Sequence, residues 1–538
     1  MEQVTVAGRV LDALAAIGTE RVFGLPGVHN LAFWREQRPG RPRIVGVRHE
    51  QTTVYAADGA ARATGLLGVA LTTTGPGAAN AVAAFGEAAA SHSPVLLVAS
   101  EVSGRLRRPG IVRGILHESA DQAALFEPLA KAVYRPRTAE EVAQALGEAI
   151  TTALTWPQGP VYLDVPTDVL DHSGPAVRVG EPQRVVPAAD LLAAAVAEIE
   201  RAERVVLWAG GGTVQGGAEA ELDVLARRLN APVVTTFGAR GVLPDGHPCL
   251  VAAPPHEPEI ADLIAGADLM VAVGTDFDGM NTRNWSMPRP PRLVSVNCDP
   301  ADLDKNYPPD VGVLGDARTA LRELARGVAP RPAGWADAAG LRTKVRARLR
   351  SEDGDGPLGL VEAIEEAWPA AGAVVADMAV AGYWVGGYAS MGRSRRLQYP
   401  VGWGTLGYAL PAAIGPASVS GTPTLAVCGD GGLMFAVGEL ATLAQEQLPV
   451  TVLVVDDACY GMLRYDQERL GDPEQGVHLA TPDFPALARC FGLDAIEVPG
   501  VAELPGALRQ AACSGGPMLV RLPAALVPPR TTSPRWRD

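Results

Sequence analysis

The feature that most restricts the fold is an alternation of short apolar runs with helical segments, repeated in three blocks along 538 residues. In the first block the runs are RVFGLPG, RIVGVRHE, GVALTTTG, SPVLLVAS and GPVYLDVP, each ending in Gly, Pro or polar residues. Ala-rich helical segments such as TTVYAADGAARATG lie between them. Strands that alternate with helices imply a parallel sheet covered on both faces. A Pro/Gly-rich stretch at 172–190 reads as a linker. The second block repeats the pattern with RVVLWAGGG, APVVTTFG, LMVAVGT and RLVSVNCD, and a second linker follows around VAPRPAGWADAAG. The third contains AVVADMAV, TPTLAVCGD, VTVLVVDD, AIEVPG and PMLVRLP. The expectation is an α/β protein of three open parallel-sheet domains, at 1–172, 190–330 and 357–525. In such sheets ligands collect at the carboxyl ends of the strands, so functional residues should directly follow the apolar runs.

Composition narrows the partners. A net charge of −14 and a pI near 5.2 argue against a nucleic-acid surface, which needs a basic stripe. The six cysteines are scattered with no CxxC pair, which fits neither a zinc site nor a disulfide scaffold. The first residues read as an amphipathic helix rather than a signal peptide, and no apolar stretch is long enough to span a bilayer. A cytoplasmic protein with reduced thiols, with no nucleic-acid or membrane partner, is expected.

The most specific stretch is LAVCGDGGLMFAVGELATLAQEQLPVTVLVVDDACYGM, from Leu425 to Met462. It reads as strand, Gly-rich turn, helix, strand, acidic turn. A right-handed βαβ unit brings both strand ends to one edge of the sheet, so Asp430 and Asp457 can converge on one ion. Mg²⁺ shares itself between one or two carboxylates and a ligand's phosphates. Gly431 and Gly432 should open a helix beginning near Leu433, where backbone N–H groups can meet a diphosphate. Either piece alone is more simply a tight turn or a helix cap; the two at this spacing are not.

This stretch resembles the signature of thiamine-diphosphate enzymes, most closely the acetolactate-synthase-like group. The resemblance implies Mg²⁺ ligation by Asp430, Asp457 and the backbone carbonyl of Cys459, with Gly461 and Met462 following in the same motif. Asp457 stands where Asn is commoner, which keeps an oxygen ligand and adds a negative charge. RIVGVRHEQTTVYAADGAARATG resembles the family segment whose carboxylate, here Glu50, bonds the cofactor's aminopyrimidine and promotes loss of the thiazolium C2 proton. Burial should favour its neutral acid form; a helix N-terminal carboxylate is the simpler structural reading. FGLPGVHN would place Pro26 and Gly27 near the pyrimidine, and TTTGPGAAN would face Asn80 to the cofactor. GWGTLGYALPAAIG would offer the Gly404 carbonyl and the Leu406 wedge, and ADMAVAGYW the Ala379 and Val380 backbones for the diphosphate. The family shares each site between two subunits, which implies a homodimer or homotetramer.

The implied reaction is cleavage of a 2-oxo acid, giving CO₂ and an enamine that is released as an aldehyde or captured as an acyloin. His29 and His117 are the candidates for handling the late protons, since histidine shuttles protons near neutral pH. His29 stands where benzaldehyde lyase carries an active-site histidine, and His117 replaces the glutamine usual in acetolactate synthases; a structural loop histidine is the simpler reading of either. Asp466 replaces the tryptophan of the synthases, and their flavin patterns are missing from the middle block, so no tightly bound FAD is expected. GGG at 210–212 is a weak nucleotide signal alone. PGVH, LHE…DQ and G-x-L-R-x-D resemble decarboxylases of basic 2-oxo acids of the 5-guanidino-2-oxopentanoate type, in which Asp466, beside Arg464, would pair a guanidinium. A solvated helix face is the simpler account of both residues. An acetolactate-synthase-type carboligase and an inactive relative acting as a binding subunit are the alternatives. A dinucleotide oxidoreductase would need a strand-linked GxGxxG, which is not evident.

Overall fold

The computed structural model describes residues 4–108 and 110–531. Three parallel sheets follow one another along the chain. The first holds β1 (Arg21–Gly24), β2 (Arg43–Gly46), β3 (Gly68–Thr72), β4 (Val95–Glu101), β5 (Ala132–Tyr134) and β6 (Val161–Pro166), in the order β2-β1-β3-β4-β6-β5. The second holds β7 (Val205–Ala209), β8 (Val233–Thr235), β9 (Leu269–Val273), β10 (Leu293–Asn297) and β11 (Val311–Leu314), ordered β11-β10-β9-β7-β8. The third holds β12 (Ala373–Ala376), β13 (Leu397–Gln398), β14 (Thr424–Gly429), β15 (Val450–Asp456), β16 (Asp494–Glu497) and β17 (Met518–Pro523), ordered β13-β12-β14-β15-β17-β16. Relative to chain direction, the first and third sheets have the same order.

The central strands are apolar throughout because helices cover both faces: every residue of β3, β4, β6, β7 and β15 is buried. Three strands were not evident in the sequence, namely β5, β11 and β13, and each is a short edge strand. Paired on one side only and incompletely buried, they need no continuous apolar run. Among the described residues no helix is long and apolar enough to cross a membrane.

The first and third units pack directly through the helices Glu50–Thr64 and Ala409–Ser420. Gly59 lies against the backbone of Ala412, and Gly415 against that of Ala56, so a methyl at either crossing point would strike main chain. A single core cluster therefore spans Phe23, Tyr55 and Phe85 of the first unit and Tyr408, Cys428 and Leu433 of the third. Beside it the half-buried Arg62 pairs with the buried Asp58 (2.8 Å) and Glu87 (3.1 Å), while the Tyr408 hydroxyl donates to Asp58 at 2.9 Å. Burial without partners would make these charges costly; paired, they key the two units in one register.

Candidate active site

In the first sheet the chain changes direction between β1 and β3, and the loops beyond these strands and β2 carry the expected residues. Glu50 is the first residue of its helix, whose N-cap is His49; the His49 ring accepts from Gln51 N–H at 3.2 Å. Asn80 donates to Glu50 Oε2 at 3.0 Å, so these two are brought together. Glu50 is half-buried and Asn80 exposed, so this chain alone does not supply the burial expected for the carboxyl. The loop with Pro26 and Gly27 is pinned by Asn30, which accepts from Gly27 N–H (2.8 Å) and donates to Leu25 O (3.0 Å). Gly27 and Gly77 both pack on Thr73, and Gly77 also faces Glu50. Arg48 and His49 donate their backbone N–H groups to the buried Glu439 of the third unit, at 3.0 and 3.1 Å. Asn30 and Glu439 lie inside the FGLPGVHN and GELAT stretches of the sequence, but their roles were not legible there, because their partners lie in turns or in a distant unit.

His29 and His117 meet edge-on, with ring centroids 5.3 Å apart and planes at 83°. The Nδ1 atom of each is buried without a hydrogen-bond partner. Burial and the adjacent His117 hold His29 below the ordinary histidine pKa, against an opposing pull from Glu101. His117 has a positive φ of 66°, and its carbonyl oxygen would lie 2.5 Å from a Cβ at Gly75. Only glycine fits there, so the GPG turn sets the position of His117. Behind it Gln122 accepts from Gly75 N–H and donates to Ser100 O, the Tyr162 hydroxyl and Asp164 at 2.8–3.0 Å. Glu101 is buried and paired with Arg107 at 2.7 Å.

The third sheet reverses between β12 and β14, and its loops carry the second cluster. β14 and β15 are adjacent and parallel, with Gly429 opposite Val455, so Asp430 and Asp457 emerge at one edge. The helix begins at Asp430 (Asp430–Met434), three residues before the expected start at Leu433, because the Asp430 carboxylate accepts Gly431 N–H at 2.7 Å in the first turn. Its other oxygen accepts Cys459 N–H at 3.2 Å. Burial, then the neighbouring Asp457 and Asp456, push the Asp430 carboxyl up to about 6; burial also raises Asp457. Two carboxyls raised in this way at one strand edge, with Arg464 reaching Asp457 alone, could hold a cation. Among the described residues no group of three His, Cys, Asp or Glu side chains forms a metal cluster. Two carboxylates, a backbone carbonyl and phosphate oxygens would still complete an octahedral site.

The remaining expected contacts surround this pair. A Cβ at Gly432 would stand 2.5 Å from Asp377 Oδ2 and 3.2 Å from Leu406 Cδ1. Ala379 caps the helix Val380–Tyr388 and touches Gly429, and Val380 faces Gly461. Gly404 neighbours Met378, and Met462 packs on the core. Arg464 turns to Asp457 at 3.7 Å rather than to Asp466. Asp466 is buried and acts electrostatically on Tyr383, so it does not lie on a solvated helix face. Asp377, whose role has no local sequence signature, is fully buried and pushed up to about 6 by burial. Gly211 and Gly212 of the middle unit line a cavity of ≈ 230 Å³ at the junction of the three units, with Arg62 of the first and Arg395 of the third, and none of its lining belongs to the Glu50 or Asp430 clusters.

Three family descriptions match the chain. They are the N-terminal TPP binding domain of thiamine pyrophosphate enzymes at 4–125, the central domain at 192–324 and the C-terminal TPP binding domain at 377–522. The chain belongs to the thiamine pyrophosphate enzyme family. Among its relatives, a probable 2-ketoarginine decarboxylase of Pseudomonas aeruginosa is 33% identical over 97% of this chain and 94% of its own length. A probable acetolactate synthase large subunit of Methanocaldococcus jannaschii is 29% identical over 97% of this chain and 93% of its own. The acetolactate synthase of Mycobacterium bovis is 31% identical over 91% and 83%. As a thiamine pyrophosphate enzyme, the chain is a decarboxylase or carboligase related to both groups.

Proposed function

We propose that this enzyme decarboxylates a 2-oxo acid with thiamine diphosphate and Mg²⁺, and that units 1–172 and 357–525 supply the pyrimidine and diphosphate halves of its site. The carrying observation is the Asp430/Asp457 pair, displayed beyond two adjacent parallel strands, both raised by burial and Asp430 also by the charge of Asp457. These two side chains and the Cys459 carbonyl would hold Mg²⁺, with Gly431, Gly432, Ala379 and Val380 against the diphosphate. Gly404 and Leu406 would seat the pyrimidine, and Glu50, oriented by Asn80, would bond it. Bound thiamine diphosphate supplies the carbon nucleophile and the electron sink for breaking the bond to the departing carboxylate. His29 and His117 then hold or deliver a proton at their unpartnered Nδ1 atoms.

Apolar side chains stand exposed beside both clusters: Val28 and Leu116 near the histidines, Met434, Phe435 and Leu463 near the carboxylates. Such patches mark surfaces that become covered. A second copy of the chain would bring one molecule's Glu50 to the other's Asp430, as a homodimer or a tetramer of such dimers. We read Asp466, buried beside Tyr383, as the carboxylate that would meet a cationic end of the substrate, a reading that the similarity to a probable 2-ketoarginine decarboxylase supports. The test is incubation with thiamine diphosphate, Mg²⁺ and a panel of 2-oxo acids that includes a guanidino member, read by mass spectrometry. An aldehyde product is expected. An acyloin would mark carboligation, and absence of cofactor-dependent CO₂ release from every substrate would refute the reading.

A further inference from the structure

Residues 403–408 form the second part of the connection (399–408) from β13 to the helix Ala409–Ser420, without regular structure, and Gly404 and Gly407 both take positive φ, 72° and 84°. Such a segment has little intrinsic preference for one shape. Yet Leu406 reaches the glycine turn after Asp430, 3.2 Å from the position of a Gly432 Cβ. Its conformation therefore decides how the two halves of the cofactor's cradle are spaced.

Two buried carboxylates hold it from opposite ends. Glu87, fully buried on the helix Val82–Ala90 of the first unit, accepts Trp403 N–H at 3.3 Å and the Thr405 hydroxyl at 3.2 Å through Oε2. Its other oxygen accepts from Arg62 (3.1 Å) and Ser91 (3.1 Å). Asp377, fully buried after β12, accepts Gly407 N–H at 2.9 Å, Tyr408 N–H at 3.2 Å and Met378 N–H at 2.8 Å. Burying a carboxylate costs stability that hydrogen bonds only partly offset. Two such groups converging on one six-residue segment are better explained by geometry than by stability.

We propose that Glu87 and Asp377 are positioning residues that clamp segment 403–408 in the shape that seats the cofactor's pyrimidine against the Asp430 turn. The proposal rests on the reading of the site given above. Because Glu87 belongs to the first unit and Asp377 to the third, the clamp also couples the seat to the packing of the two units within one chain.

Thr405→Val keeps the side chain's size and removes the hydroxyl that Glu87 accepts; Thr405→Ser restores it. Asp377→Asn keeps the shape and places an NH₂ group against Gly407 N–H or loses an acceptor. Calorimetric titration with thiamine diphosphate and Mg²⁺ should show the dissociation constant raised about fivefold in Thr405→Val, the size expected for one lost hydrogen bond. At saturating cofactor, deuterium exchange at C2, followed by NMR after acid quench, should be slowed further, with an unchanged melting temperature and recovery in Thr405→Ser. Asp377→Asn should shift both readouts the same way. Wild-type affinity and exchange in Thr405→Val and Asp377→Asn would overturn the clamp while leaving the site reading intact. Wild-type enzyme that takes up no cofactor would overturn both.

Discussion

Gly432 offers a sharp test of how tightly the site is built. A methyl there would stand 2.5 Å from Asp377 Oδ2, where ordinary contact begins at 3.4 Å, so something must retreat by nearly an ångström. Asp377 is held by three backbone N–H groups and cannot rotate away without breaking them. The second neighbour, Leu406 Cδ1 at 3.2 Å, needs to give only slightly. Overpacking of this kind costs about 1–3 kcal/mol. If the turn holds and the strain falls on cofactor binding, the dissociation constant rises roughly fivefold to 150-fold. If the strain falls on folding instead, the melting temperature drops without cofactor. Gly506→Ala is the control: it lies inside the helix Leu504–Ser514 with nothing within 4 Å of the added methyl. Removing a helical glycine there should stabilise by about 0.5–1 kcal/mol. Thermal unfolding with and without thiamine diphosphate and Mg²⁺, together with calorimetric titration, reads both effects. A Gly432→Ala protein with wild-type melting and wild-type affinity would refute the close packing of Asp377 on the glycine turn.

Glu50→Gln should keep cofactor affinity within roughly an order of magnitude, since the amide is isosteric, while strongly suppressing C2 proton exchange; normal exchange would remove Glu50 from its role. Asp430→Ala should weaken Mg²⁺-dependent cofactor binding, and an unchanged titration would reject the metal assignment. In the wild type, protons compete with Mg²⁺ for a carboxyl held near 6. The ionised form binds, so apparent affinity should fall as pH drops through that value, by about tenfold between pH 7 and 5 for one proton. A flat titration would exclude Asp430 as the titrating ligand. His117→Ala removes one member of the histidine pair and should lower turnover by about a hundredfold or more, the scale of a positioned acid–base group, with a smaller change in cofactor affinity; turnover near wild type would leave the pair structural.

The sequence alone was enough for the fold class and for the residues whose position follows from local rules. Continuous apolar runs specify buried parallel strands because helices cover both of their faces, and residues directly after such runs must lie at the ligand-bearing edge. Asp430 and Asp457 meet for that reason: the βαβ unit that joins them has one favoured hand. Glu50 and the turns at 25–30 and 73–80 were singled out through the resemblance to the family rather than by such rules, and His29 and His117 were named individually as candidates. Only the tertiary structure placed those two rings 5.3 Å apart, since they belong to loops after different strands with no shared periodicity. It alone supplied the edge strands β5, β11 and β13, whose partial burial leaves no apolar signature. It also moved Asp466 from a solvated face to a buried one and turned Arg464 to Asp457. Asp377, Glu87 and Glu439 act through backbone N–H groups far away in the chain or in another unit. Any non-proline residue can present an N–H group, so what these carboxylates bond to is not written in side-chain chemistry and emerges only when the units pack.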